Sequence, residues 1–378
     1  MSPGEQSLVI GANRLSMYLG ELKGRNVGLV VNHSSLVEGP QGPVHLVDTL
    51  LRLGIHVRKI FAPEHGFRGD ADAGEKIKGG TDKETGLPIL SLYGSHKKPL
   101  PADLSDLDVL VFDIQDVGAR FYTYISTLHY VMEACAENNK TLIVLDRPNP
   151  NGFYVDGPVL DTAYRSFVGM HPVPVVHGMT VGEYARMING EKWLDGGLQC
   201  RLMVVPCLNY THALLYPLKI KPSPNLPNMI AVYLYPSLCF FEGTIVSVGR
   251  GTDFPFQVIG HPQYAGRAFS FTPQSREGAK NPPYKGIVCY GIDLRNIKVN
   301  YFAQRKSLDL SWLIEFYQKF PDKDNFFNAF FTKLAGTTEL EQQIKAGKSE
   351  AEIRESWQPQ LQEFKAIRKK YLLYEDFE

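Results

Sequence analysis

Apolar runs and amphipathic stretches alternate through the first 150 residues. "NVGLVVNHS" reads as a buried strand ending in polar residues, and "GPVHLVDTLLRLG" as an amphipathic helix stopped at Gly54. "HVRKIFAPEHG", the short "LPILSLYG", "DLDVLVFDIQDVG" and "TLIVLDRPNP" read as further strands, with "TYISTLHYVMEACAENNK" a helix before the last of them. The longer apolar runs are close to continuous, as expected of strands covered on both faces. This order predicts an α/β fold, a parallel sheet with helices on both faces.

Polar side chains collect where these strands end. They are Asn32 and His33, Glu64 and His65, Asp113, Gln115 and Asp116, and then Asp146, Arg147, Asn149 and Asn151. In an open parallel sheet the C-terminal strand ends share one edge, and ligands bind in the crevice there. Any one of these segments also reads as a solvated loop or a helix cap, places that Asp and Asn favour. Four of them on one edge favour a site.

After about residue 160 the texture changes. "MTVGEYARMING" is a helix in which Thr180 and Glu183 match a capping box. "LQCRLMVVP" is a strand, while the proline-dense "YPLKIKPSPNLPNM" can be neither a long helix nor a central strand. "CFFEGTIVSVGRGTDFPFQVIG" sets Glu242, Arg250, Thr252 and Asp253 among glycines. The sign-alternating charges of the last 40 residues read as solvated helix faces. With 378 residues to divide, the expectation is two domains, 1–160 and a C-terminal α/β domain at 161–378.

Composition narrows the functional classes. Lys+Arg and Asp+Glu both number 40, so no long-range field recruits nucleic acid or an anionic membrane. No apolar run is long enough to span a bilayer. The 5 cysteines form no C-x-x-C pair, which argues for core-filling thiols rather than a disulfide framework or a zinc site. No G-x-G-x-x-G follows the first strand, and neither a phosphate-binding loop nor a G-x-S-x-G elbow occurs. A cation held by Asp113, Asp116 and His65 is one option.

Paired carboxylates are the other. Glu64, Asp113, Asp116, Asp146 and Glu242 all lie in turn-rich or strand-end positions. Glycoside hydrolysis needs one protonated carboxyl as acid and a second group as base, nucleophile or stabiliser. Phe61 and Phe67 flank Glu64 in sequence, and desolvation by them would favour the protonated form. Arg68, Arg120, Arg147 and Arg250 could clamp an anionic substituent, or pair with nearby aspartates to stiffen loops, Arg147 with the adjacent Asp146 above all.

Several long phrases carry a resemblance: "GLVVNHSS", "FAPEHGFRGDADAGE", "DKETGLPILSLYG", "LVFDIQDVGARFYTYISTL", "LDRPNPNG", "PSPNLPN" and "FFEGTIVSVGRGTDFPFQVIG". Together they resemble the NamZ-type exo-β-N-acetylmuramidases, peptidoglycan-recycling glycoside hydrolases formerly grouped as a domain of unknown function. The resemblance runs from about Asn26 to "YLLY" near the end. It implies a Rossmann-like N-terminal domain, a smaller C-terminal α/β domain closing an active-site cleft, and no metal or nucleotide cofactor. The implied reaction is release of N-acetylmuramic acid (MurNAc) from the non-reducing end of a peptidoglycan-derived disaccharide (MurNAc-GlcNAc) or muropeptide. Glu64 is then the expected general acid and His65 a proton relay, with Asp116 or Glu242 as the second group. Arg120, Tyr122, Asn149, Arg250 and Thr252 are expected to hold the sugar and its lactyl carboxylate. Asn32, Arg68, Asp113 and Asp146 are further expected substrate contacts. A 2-acetamido sugar can also supply its own carbonyl oxygen as nucleophile. A non-catalytic muropeptide-binding protein and a metal-dependent hydrolase on the same fold are the alternatives. Relatives that trim wall fragments are typically exported, so a periplasmic or extracellular protein with its leader removed is expected, with a cytoplasmic location as the alternative.

Overall fold

The computed structural model describes residues 7–64, 66–67 and 80–378. Its first strand, β1 (Asn26–Val31), is buried along nearly its whole length and is followed by a hairpin, β2 (Leu36–Gly39) and β3 (Gly42–His45). Next come β4 (His56–Ala62), β5 (Gly80–Thr81), β6 (Pro88–Ser91), β7 (Val109–Asp113), β8 (Thr141–Leu145) and β9 (Arg201–Val205). The large sheet has seven strands in the order β5-β6-β4-β1-β7-β8-β9, parallel throughout except for the edge strand β5. A smaller antiparallel sheet, β10 (Val258–His261), β12 (Cys289–Asp293) and β11 (Ser270–Phe271), belongs to the C-terminal part.

The near-continuous apolar runs have the cause that sequence reasoning assigns them. Along β7, Leu110 and Phe112 enter one core while Val109 and Val111 enter another. The first core holds the helices Tyr124–Glu137 and Val181–Gly190, and the second holds Leu15–Leu22 and Leu46–Arg52. Because side chains alternate across a strand, a sheet buried on both faces must be apolar at every position. Thr180 caps the Val181–Gly190 helix by the expected box, its hydroxyl accepting from Glu183 N and its own N–H donating to Glu183 Oε2. The helix expected from Gly42 is shorter and begins at Leu46, because Gly42–His45 pairs with β2 first.

The expected boundary at residue 160 falls inside this architecture. β9, on its far side, pairs with β8 in parallel register, Thr141 opposite Arg201 through Leu145 opposite Val205. Residues 368–376 also return to the sheet. Arg368 donates to Gly178 O, Leu373 N to Glu183 Oε1, and the Tyr374 hydroxyl to Asp146 Oδ2. The charged C-terminal helices bury Leu340, Ile344, Ile353, Leu361 and Phe364 and leave their charges outside. Among the described residues, no helix is long and apolar enough to cross a membrane. All five cysteines are buried free thiols.

Candidate active site

The chain order turns outward in both directions from β1, toward β4 and β6 on one side and β7 to β9 on the other. The C-terminal ends of β1 and β7 therefore flank the point where the strand order reverses, the place where open α/β sheets bind ligands. A cleft of about 480 Å³ opens beside it, lined from the sheet by Glu64, Tyr93, Tyr122 and Thr123, and from the C-terminal part by Glu242, Arg250 and Phe256.

Glu64 follows β4 directly after Pro63 and is half-buried. Thr123 donates its hydroxyl to Glu64 Oε2 at 2.7 Å, and Tyr93 also hydrogen-bonds the carboxylate. Burial and that carboxylate raise the Tyr93 phenol well above its ordinary value, so it remains a donor. Phe61 and Phe67 are absent from the cleft lining. Phe61 lies in the first core, and Phe67 packs edge-on against His45 in the second. The aromatic wall comes instead from Tyr93, Phe121, Tyr122, Tyr124 and Phe167.

Across the cleft, Arg250 Nε donates to Glu242 Oε1 at 2.6 Å, both side chains about one-fifth exposed at 20% and 23%. Gly249 and Gly251 have φ of +77° and +81°, and a Cβ on Gly251 would lie 2.5 Å from Gln274 O. That left-handed pair makes the turn that carries Arg250. Thr252 closes the turn, its N–H and hydroxyl both on Gly249 O. It is absent from the cleft lining.

Several other expected ligand groups are structural. Arg120 is fully buried and donates to four main-chain carbonyls, Pro158, Val173, Leu334 and Ala335, at 2.7–2.9 Å. It joins β7's loop to the C-terminal part and cannot meet substrate. Asp113 accepts two bonds from Arg147, at 2.5 and 2.9 Å, and Arg147 also reaches Leu36 O. The expected pairing of Arg147 is thus present, but with Asp113 rather than Asp146. Asp146 is fully buried at the N-terminus of the Val181–Gly190 helix, where it accepts from Thr180 Oγ1, Gly182 N and Tyr374. Burial pushes its carboxyl up to about 6. Asn149 is occupied by Met179 O and Asn151 N. Asn32 bonds Ser34 and the Tyr124 hydroxyl, so it positions a cleft tyrosine rather than a ligand.

Asp116 lies outside the cleft lining, 4% exposed, with Oδ2 on Gly118 N and Oδ1 without a partner among the described residues. Burial pushes it up to about 7. Tyr122 does line the cleft, but its hydroxyl is held by Pro222 O at 2.7 Å, so it offers its ring. His65 and Arg68 lie outside the described residues. Among those described, no group of three or more His, Cys, Asp or Glu side chains could hold a metal ion. Sequence reasoning missed Tyr93, Lys97, Thr123, Phe167 and Asn225. Only Asn225 carried a signal, as a turn residue in "PSPNLPN".

Fold and cleft together define an α/β protein with two carboxyl side chains, Glu64 and Glu242, lining an aromatic-walled groove, a layout suited to a sugar. The chain belongs to the NamZ exo-β-N-acetylmuramidase family, whose N-terminal model matches residues 27–230 and whose C-terminal model matches 233–374. It is 37% identical to the peptidoglycan β-N-acetylmuramidase NamZ of Bacillus subtilis (strain 168), over 94% of this chain and 89% of that one. Among solved structures, a DUF1343 family protein of Bacteroides fragilis NCTC 9343 superposes with a TM-score of 0.91 at 47% identity, covering 98% of this chain and 100% of the other. A second from that organism gives 0.81 at 29%, covering 97% and 99%.

Proposed function

We infer that this chain is an exo-acting glycoside hydrolase that releases N-acetylmuramic acid from the non-reducing end of peptidoglycan fragments such as MurNAc-GlcNAc. The observation that carries the reading is the sorting of its carboxylates. Of Glu64, Asp113, Asp116, Asp146 and Glu242, only Glu64 and Glu242 line the cleft. Glu64 is the general acid, its carboxyl held at the cleft wall by Thr123 and Tyr93. Glu242 is the second group in preference to Asp116, held by Arg250 at the cleft wall where it can meet an oxocarbenium-like transition state. The tyrosine and phenylalanine rings supply the apolar surface on which a pyranose stacks.

The test uses MurNAc-GlcNAc and an aryl MurNAc glycoside, with and without EDTA. Turnover that survives chelation supports the reading. Saturable binding without turnover indicates a binding protein, and loss with EDTA a metal-dependent hydrolase.

A further inference from the structure

A second cavity, of about 170 Å³, adjoins the cleft. Glu242 and Arg250 line both, so their ion pair forms the wall that the two share. The rest of the small cavity is mostly apolar, from Phe241, Ile245, Val246, Val248 and Pro283. The hydroxyls on its wall are taken by the main chain. Thr244 Oγ1 donates to Phe241 O at 2.8 Å, Tyr284 to Ile245 O at 2.6 Å, and Ser247 Oγ accepts from Gly249 N. Arg250 uses Nε on Glu242, and its two terminal nitrogens have no hydrogen-bond partner among the described residues. The side pocket is thus a short apolar recess with an open guanidinium edge at its mouth.

Those features call for a group that is small, branched, partly apolar and anionic. We propose that the side pocket seats the 3-O-lactyl group of muramic acid, its methyl against Ile245 and Val248 and its carboxylate on the terminal nitrogens of Arg250. This rests on the function proposed above and adds the place where muramic acid is told from glucosamine. A neutral acetamido methyl would fill the recess but leave the guanidinium edge unanswered. A carboxylate satisfies it, and a planar fork binding a planar acid is the stronger contact.

The experiment measures calorimetric affinities for MurNAc and GlcNAc, which share the acetamide and differ by the lactyl group. The unsubstituted protein binds MurNAc roughly tenfold or more tighter, the scale of one hydrogen bond to a charged group. Ile245→Phe, which fills the recess, and Arg250→Gln, which discharges its mouth, each bring the ratio of MurNAc to GlcNAc affinity to within about twofold of one. Arg250→Gln introduces no added bulk and decides the matter if Ile245→Phe fails to fold. Equal weakening for both sugars overturns the assignment, because the recess would then hold a group they have in common. Unchanged MurNAc affinity overturns it also. Cleavage of MurNAc-GlcNAc without any preference for MurNAc sinks this inference alone. Absence of both cleavage and MurNAc binding in the unsubstituted protein sinks the proposed function with it.

Discussion

The cleft and the floor beneath it are built from the same residue types and behave oppositely. In the floor, Arg120, Arg147, Asp113, Asp146 and Asn149 are buried, and the structure shows hydrogen-bond partners for each. In the cleft, Glu64, Glu242 and Arg250 keep part of their surface, and Arg250 keeps its two terminal nitrogens unpaired among the described residues. Arg120 and Arg250 show the contrast in one side chain. The first gives its guanidinium to four carbonyls, the second only Nε to one carboxylate. Partial exposure at the cleft, rather than charge, location at a strand end or an unpaired atom alone, marks the groups open to a ligand: Asp116 Oδ1 and Arg120 Nε also lack partners among the described residues but are buried away from the cleft lining.

Substitutions can break or sharpen that contrast. Glu64→Gln should lower kcat on MurNAc-GlcNAc by about 10²–10⁴-fold without loss of thermal stability. An aryl MurNAc glycoside with a good leaving group should recover part of the rate, and near-normal cleavage of the disaccharide would remove Glu64 from the acid role. Arg120→Met should do the reverse. Four carbonyls lose their donor, so unfolding in urea should show a loss of roughly 3–5 kcal/mol. A stable but inactive Arg120→Met protein would return that arginine to the cleft.

Asp116→Asn tests the group between the two regions. Its carboxyl is raised by burial from 3.8 to about 7, so the folded state holds a proton that the unfolded chain releases. The stability it contributes is complete below about pH 4 and is lost as pH rises toward about 7. Asp116→Asn should therefore gain on the unsubstituted protein across that window, by at most about 1.4 kcal/mol per pH unit. It should still cleave substrate, and a pH-independent stability difference would contradict the burial argument. Smallest should be Ser349→Ala, which removes the cap of the Glu350–Ser356 helix, far from either region. About 1 kcal/mol in chemical denaturation with unchanged kcat is expected.

The strands of the large sheet were legible because burial on both faces demands unbroken apolar runs, a local signal. The cleft was legible only in part. Glu64, Glu242, Arg250 and Tyr122 do line it. Asp146, Asn149, Arg120 and Thr252 share their strand-end or glycine-rich setting but are structural. What separates the two kinds is the partner, and partners come from far along the chain. Arg120 is bonded across 214 and 215 residues to Leu334 and Ala335, and no window of sequence contains both ends. Tyr93 and Phe167 escaped for a related reason, since a ring facing a cleft and a ring filling a core are written with the same letter.

The bond from Tyr374 to Asp146 bears on how the protein is made. It closes a separation of 228 residues, and it joins the end of β8 to the segment that follows the Gln358–Lys369 helix. While the chain emerges from a ribosome, β8 can pair with its neighbours long before Tyr374 exists. Until then Asp146 sits at a helix start short of one donor, in a sheet whose strand β9 is itself delayed to residue 201. Long-range closure of this kind slows folding. The nascent N-terminal half is therefore an incomplete structure with an open flank, which shuts only once Tyr374 has been made.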